Sequence, residues 1–209
     1  MTEHQRVGRW HVLVGVALVA SALVTGTTAQ TTKPELYFIA IGDVPADMIN
    51  GLVSHFQTKF EMSIRTLSPL GFDRVTFDPE RSQVVAERLI QAARFRHPTL
   101  AKKPQTRVIG ITPLDMYMEA MREQWAFTFS TRSPDRRFAV VSYARMDPAN
   151  LGAVPHEILL RSRLRKMVTK NIGIMYFGLP ASDNPRSALF RNILSVDDLD
   201  RMTEDFNPE

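Results

Sequence analysis

The chain has 209 residues, of which 44% are hydrophobic and 23% are charged, and its formal net charge is +4. This composition is typical of one folded domain with a core, and it excludes a disordered, collagen-like or repeat protein. Because the chain has no cysteine, iron–sulfur clusters, cysteine nucleophiles, thiolate zinc sites and disulfides are also excluded. The small positive charge falls short of the basic surface of a dedicated nucleic-acid binder, so no nucleic-acid partner is predicted.

The N-terminal segment has the order of a secretory signal. Two arginines precede an uncharged apolar run from Val12 to Val24, and small residues follow up to Ala29. We expect a signal peptide over residues 1–29, cut after Ala29, and a domain over residues 30–209 in an extracytoplasmic location, periplasmic or secreted. An uncleaved membrane anchor is the alternative, although the apolar run is short for a helix that spans a bilayer.

The next part of the chain alternates predicted strands and helices. A run of apolar and aromatic residues predicts a buried strand over 36–41, and apolar residues at helical spacing predict a helix over 45–60. A second strand is predicted over 62–67. A second helix follows Ser82 and ends near Arg96, with one apolar stripe along its length.

The middle of the chain is rich in predicted strands. Short β-branched or aromatic runs predict strands over 108–111, 127–129 and 138–143, with a polar turn over 131–135 between the last two. A third helix is predicted over 155–170. The order β-α-β-α-β-β-β-α predicts an α/β (α+β) single domain in which helices pack on one mixed sheet. Acidic residues from Asp197 onward predict a short terminal helix.

Three stretches of the second half share a pattern with a known family. They are RVIGITPLDMY at 107–117, FAVVSYAR at 138–145 and RLRKMV at 163–168, and FTF at 127–129 lies between the first two. In this order the stretches resemble archaemetzincins, a family of zinc metallopeptidases. The resemblance implies a metzincin-like fold and places the zinc motif of the family on the helix that contains residues 163–168.

The expected zinc motif is missing from that helix. A zincin requires H-E-x-x-H because residues four apart share a helix face, so that two imidazoles bind one Zn²⁺ beside a glutamate base. If Gly173 matches the glycine of the motif, the three positions hold Lys170, Asn171 and Ile174. If Gly178 and Leu179 match the end of the motif instead, the positions, third ligand included, are Asn171, Ile172, Met175 and Ala181.

Neither register supplies a zinc ligand, and the cysteines that the family carries downstream are absent too. We therefore expect a pocket filled by side chains, no cofactor and no metal, and we assign no catalytic, cofactor-binding or metal-binding residue. The chain also lacks a Walker loop, a dinucleotide-binding glycine pattern and a nucleophile elbow. The resulting hypothesis is an exported, non-catalytic, archaemetzincin-like protein that acts as a binding or structural module.

Two alternatives remain open. One is a zinc-dependent metallopeptidase or other hydrolase with a non-standard site, for which His156 and Glu157 are the local candidates, although a capping role at a helix start explains them more simply. A three-histidine metal site from His55, His97 and His156 also stays open, without support from their spacing.

The other alternative is an electrostatic binder at an envelope surface. It depends on a basic run in the third helix, which comprises Arg161, Arg163, Arg165, Lys166 and Lys170. This run is either a patch for an anionic envelope partner or a protein, or a solvated helix face that pairs with the acidic tail after Asp197. Its partner is otherwise unknown.

Overall fold

A computed structural model describes residues 33–209 of the chain. The predicted signal peptide, the cleavage site after Ala29 and the alternative membrane anchor lie outside these residues. Within residues 33–209, no helix is long and apolar enough to cross a membrane.

The fold consists of eight strands and five α-helices within the described part of the chain. The strands are β1 (Glu35–Ile41), β2 (Ile64–Leu70), β3 (Phe77–Asp78), β4 (Gln83–Val85), β5 (Thr106–Thr112), β6 (Met116–Tyr117), β7 (Ser130–Arg132) and β8 (Phe138–Ser142). The helices are α1 (Ala46–Phe60), α2 (Ala86–Arg96), α3 (Pro98–Lys102), α4 (Glu157–Met175) and α5 (Val196–Arg201).

The main sheet has five strands in the order β2-β1-β5-β8-β7. The pairs β2–β1, β1–β5 and β5–β8 are parallel, whereas β7 pairs antiparallel with β8. β7 is thus an edge strand. A second, smaller sheet joins β3, β4 and β6. This architecture confirms the predicted α/β (α+β) single domain with helices packed on a mixed sheet.

Helices cover both faces of the main sheet, and the alternation of side chains along β1 shows how. Phe38 faces a core that includes residues of α1 and α4, whereas its neighbour Ile39 faces a second core against α2. Because both faces are covered, β1 is apolar almost throughout and reads as a continuous hydrophobic run. This run is why the strand was predictable.

Two predicted elements are wrong. The second helix does not begin directly after Ser82, because Gln83–Val85 forms β4 and the helix starts at Ala86. The predicted strand over 127–129 is a loop, and β7 lies three residues later at Ser130–Arg132, inside the segment predicted as a turn. The third helix is longer than predicted and ends at Met175.

The C-terminal segment packs against the last turns of α4. A Cβ atom added to Gly173 would lie 2.7 Å from both Leu189 Cδ2 and Phe206 Cε1. Only a glycine therefore permits this close approach of the C-terminal segment to the helix. The short helix α5 of this segment has a capping box between Ser195 and Asp198, which confirms the predicted terminal helix.

Candidate active site

The positions that the family resemblance assigns to zinc lie in the last turns of α4. Lys170, Asn171, Ile174 and Met175 are all helical and are at most 8% exposed. Gly173, whose neighbours were described above, holds this part of the helix against the C-terminal segment. The edge strand β7 lies across from Lys170 and Asn171, so the two elements define the site.

Asn171 joins the helix to the edge strand. Its Nδ2 donates to the Met167 carbonyl at 2.8 Å and to Ser130 Oγ at 3.3 Å, and its Oδ1 accepts a hydrogen bond of 3.0 Å from Arg132. The side chain is fully buried. Every strong hydrogen-bonding group of the amide is therefore engaged within the protein, which fixes the position of β7 relative to α4.

Lys170 lies beside this amide, and its Nζ donates to the carbonyl of Phe190. Burial, together with the positive charge of Arg132, lowers the pKa of Lys170 to about 8. Burial also lowers the pKa of Arg132, with a further contribution from the neighbouring Arg136. The site thus holds an amine that is partly neutral near pH 8, next to a guanidinium that stays charged.

An open polar pocket of about 390 Å³ lies between β7 and α4. Its polar walls include Ser130, Arg132 and Lys170, and its apolar walls include Met167 and Trp125. The expectation that side chains fill this pocket is wrong. Ile174 and Asn171 are buried and do not line the pocket, whereas Lys170 contributes a hydrogen-bonding group to its wall.

The backbone of β7 is open on the side away from β8. Ser133 donates its N–H to the Phe138 carbonyl, and the Phe129 carbonyl accepts from Ser142 N–H. Because hydrogen-bonded residues alternate along an antiparallel strand, the backbone groups of Ser130 and Arg132 face outward. The Ser130 carbonyl accepts from Thr128 Oγ1, so Arg132 has the more accessible N–H and carbonyl.

The histidines form no metal site in the described residues. His156 caps α4, since its Nδ1 accepts from Leu159 N–H, and Glu157 pairs with Arg161. His55 pairs with Glu204 at 2.6 Å, whereas His97 lies at the junction of α2 and α3. Within residues 33–209, no group of three His, Cys, Asp or Glu side chains has the arrangement of a metal site. The capping interpretation of His156 and Glu157 fits this geometry.

The basic run of α4 divides into two parts. Arg163 pairs with Asp200 at 2.6 Å and Arg165 pairs with Glu204 at 2.7 Å, so the predicted pairing with the acidic tail is present. Arg163 is buried and is not on a solvated face as predicted. Lys170 lies apart from these pairs, in the pocket.

No family model matches the chain. An archaemetzincin of Pyrococcus abyssi is 27% identical over 159 residues, which cover 74% of this chain and 80% of the relative. An archaemetzincin of Pyrococcus furiosus is 28% identical over 159 residues, covering 72% of this chain and 77% of the relative.

Solved structures share the fold. A zinc-dependent peptidase of Methanocorpusculum labreanum superposes with a TM-score of 0.69 at 23% identity, covering 82% of this chain and 95% of that one. An archaemetzincin of Archaeoglobus fulgidus, solved with malonate, gives a TM-score of 0.64 at 20% identity, with the same coverage of 82% and 95%. The chain is archaemetzincin-like. The family resemblance predicted from the three sequence stretches is thereby confirmed.

The hypothesis that this archaemetzincin-like chain is a non-catalytic binding or structural module is wrong. Its relatives are archaemetzincins, and a solved structure with its fold is a zinc-dependent peptidase. These comparisons favour the alternative of a peptidase or other hydrolase with a non-standard site. The signal peptide and the extracytoplasmic location remain predictions.

The residues of the archaemetzincin-like helix do not fit a zinc ion. Lys170 is a hydrogen-bonded amine beside a guanidinium, Asn171 is hydrogen-bonded to three partners, and Ile174 has no donor atom. In the other register, Ile172 and Ala181 have no donor atom either, and Met175 offers only a thioether, which binds Zn²⁺ weakly. The positive charges of Lys170 and Arg132 also oppose a divalent cation. We therefore assign no catalytic step to a metal.

Sequence reasoning missed Lys170 and β7 as parts of one site. Lys170 was grouped with the basic run because it continues that run along the chain. The signal that separates it is its position: it follows the buried residues Met167 and Val168 and precedes the buried Ile172 and Ile174. A lysine among such neighbours requires a hydrogen-bond partner or a polar cavity.

Proposed function

We propose that this archaemetzincin-like chain is a peptide hydrolase whose reaction centre is the pocket between β7 and α4. The observation that carries the proposal is the buried amine of Lys170 in an open polar pocket beside an edge strand with free backbone groups. The peptidase fold of the solved relative supports it as well. The reaction centre uses side chains of this chain and differs from a zinc site.

The edge strand provides for peptide binding. An extended peptide adds to an exposed sheet edge through backbone hydrogen bonds, and pockets next to the edge select its alternate side chains. Here the N–H and carbonyl of Arg132 pair with the peptide, and the pocket of about 390 Å³ takes one of its side chains. The scissile bond then lies close to Lys170.

Lys170 acts as the general base. Its neutral amine removes a proton from a water molecule, whose oxygen forms a bond to the carbonyl carbon of the peptide. The carbon–nitrogen bond then breaks, and the proton on Nζ passes to the leaving nitrogen, so that Lys170 returns to its neutral form. An amine with a pKa of about 8 suits this role, because the neutral form is well populated near that pH.

Arg132 stabilises the negative charge that develops on the carbonyl oxygen. One of its nitrogens is held by Asn171, which leaves other N–H groups of the planar guanidinium directed elsewhere. A fixed cation in a buried site stabilises an oxyanion more strongly than it does in water. Asn171 is a positioning residue, since it holds Arg132 and Ser130 through their side chains.

The test measures cleavage of a mixture of fluorogenic peptides by the purified protein. We expect cleavage that survives metal chelators, increases as the pH rises through about 8 and disappears in Lys170→Met. The matched control is Lys166→Met, which removes a lysine of the same helix that bonds the Leu199 carbonyl outside the pocket. Circular dichroism shows whether each variant is folded.

Three results would overturn the proposal. Cleavage that a chelator abolishes, and that zinc restores, would make the activity metal-dependent. Cleavage that is equal in the folded Lys170→Met variant and in the parent protein would remove the amine from the reaction. Absence of cleavage across the peptide mixture would also count against a hydrolase.

A further inference from the structure

The pocket between β7 and α4 has an unbalanced charge. Its lining includes Arg132, Arg136, Lys170 and Arg191, and no aspartate or glutamate lines it. Of these cations, Arg191 pairs with Asp183 at 2.7 Å. Within residues 33–209, the other three make no ion pair.

This charge is costly for the unliganded protein. Lys170 is only 7% exposed, and the positive charges of Arg132 and Lys170 act on each other. Like charges held close together in a poorly solvated site repel one another, and each loses hydration without a counter-charge. An anion at the exposed Arg136, at the mouth of the pocket, would balance part of this positive charge.

The carboxylate of the neighbouring turn does not serve as this anion. Asp135 accepts hydrogen bonds from Arg94 at 2.6 Å, from Ser133 at 2.6 Å and from Arg137 Nε at 3.0 Å. These contacts hold the pKa of Asp135 far below its usual range despite the opposing effect of burial. The carboxylate is therefore fully engaged on the far side of the turn, and Arg136 remains without an acidic partner in the described residues.

Arg136 is placed to meet an incoming ligand. It is exposed, it lines the pocket, and its backbone adopts a left-handed conformation with φ of 53°. This conformation is uncommon for a residue other than glycine. The hydrogen bond from Arg136 N–H to the Ser133 carbonyl, of 2.8 Å, and the contacts of Asp135 hold the turn in this shape.

We propose that the pocket recognises a carboxylate side chain, so that the substrate is a peptide with aspartate or glutamate next to the scissile bond. Arg136 binds the carboxylate at the mouth of the pocket, and its planar guanidinium offers two parallel N–H groups for bidentate pairing. The assignment of the ligand as a substrate rests on the proposed hydrolase function. Recognition of the carboxylate itself rests on the charges of the pocket.

The test measures binding of two blocked peptides that differ only in glutamate against glutamine, by fluorescence anisotropy. We expect the glutamate peptide to bind about tenfold more tightly, because a hydrogen bond to a charged group is worth about 1.5 kcal/mol or more. Arg136→Gln should remove most of this preference by weakening binding of the glutamate peptide. The matched control is Arg74→Gln, which alters an exposed arginine of the 3-10 turn Arg74–Thr76, outside the pocket.

Each outcome supports or overturns carboxylate recognition, the role of Arg136 or the proposed hydrolase function. Equal binding of both peptides overturns carboxylate recognition. A preference that survives in Arg136→Gln, or that disappears equally in Arg74→Gln, overturns the role of Arg136. A preference that appears only for peptides with a free C-terminal carboxylate overturns the side-chain assignment. Tight, selective binding without any cleavage supports carboxylate recognition and overturns the hydrolase, whereas cleavage without selectivity does the reverse.

Discussion

The two halves of α4 differ in whether their positive charges are paired with carboxylates. In the first half, Arg163 and Arg165 are paired with Asp200 and Glu204 of the C-terminal segment. In the second half, Lys170 faces Arg132 and has a backbone carbonyl as its hydrogen-bond acceptor. The first arrangement stabilises the fold, whereas the second leaves a destabilising charge in a pocket. Such a charge is a sign of function, because active sites are where proteins retain perturbed ionisable groups.

The largest loss of folding stability is expected from Arg163→Leu. The side chain of Arg163 is 8% exposed, and it bonds Asp200 at 2.6 and 2.8 Å and the Met146 carbonyl at 2.8 Å. Removing it leaves a carboxylate and a carbonyl without their partner, at a cost of about 3 kcal/mol. Urea unfolding at pH 7 measures this loss. The control is Arg161→Leu, whose partners Asp47 and Glu157 are exposed, and which should cost less than about 1 kcal/mol.

The packing of the second half against the C-terminal segment can be tested with two glycines. Gly173→Ala places a Cβ 2.7 Å from Leu189 and Phe206 and should destabilise the protein by about 2 kcal/mol. Gly51→Ala, in the interior of α1, meets only the flexible end of Arg161 at 3.1 Å. It should be neutral or stabilise by up to about 1 kcal/mol, because alanine favours a helix. Thermal unfolding of both variants measures the difference, and equal effects would contradict the packing described here.

Removal of the unpaired charge of Lys170 should increase the stability of the protein, whereas Arg163→Leu and Gly173→Ala should decrease it. Lys170→Met should stabilise the protein by about 1 to 2 kcal/mol at pH 6, since removal of the buried charge outweighs the lost hydrogen bond to Phe190. The pKa of Lys170 is lowered from 10.5 to about 8, so between these values the unfolded chain binds more protons and the stability of the parent protein rises with pH. The gain should therefore shrink above pH 8 and vanish above pH 10.5. Urea unfolding of both proteins at several pH values tests it, and a gain that does not depend on pH would exclude the charge as its cause.

The smallest change in stability is expected from substitution of Asp200, the acidic partner of Arg163. The hydrogen bond from Arg163 lowers the pKa of Asp200 from its ordinary value of 3.8. The pair therefore stabilises the fold above that pH, and the contribution is lost as the pH falls below it. Because the Asp200 side chain is 37% exposed and partly screened, Asp200→Asn should cost only about 1 kcal/mol at pH 7. The difference in stability between the variant and the parent should narrow as the pH falls below 3.8, as measured by chemical unfolding.

The elements with regular apolar patterns were predictable from the sequence. The short strand β4 and the polar edge strand β7 were not. The strand β1 and the helix α1 were predictable because apolar residues recur there without interruption or at helical spacing. The strand β4 was hidden in the start of a helix, since Gln83–Val85 is short and Val85 suits either element. The strand β7 was taken for a turn because Ser130 and Arg132 are polar. Their side chains face Asn171 and the pocket, and only Thr131 is buried between them.

The site was only partly predictable for a related reason. The family resemblance directs attention to the last turns of α4, where Lys170, Asn171 and Ile174 occupy the positions that the family uses for zinc. The contact between α4 and β7 was not visible in the sequence, because it joins Arg132 to Asn171 across 39 positions. Hydrogen bonds between distant residues leave no periodic signal in the sequence.

The open edge of β7 also bears on self-association. Exposed strand edges tend to join the same edge of a second molecule, and charged side chains along the edge oppose this. If two copies of this protein met edge to edge, Arg132 and Arg136 of each would approach the same pair of the other. Coulomb repulsion would then keep identical molecules apart in dilute salt. A chain with negative side chains would instead be attracted to the same strand edge.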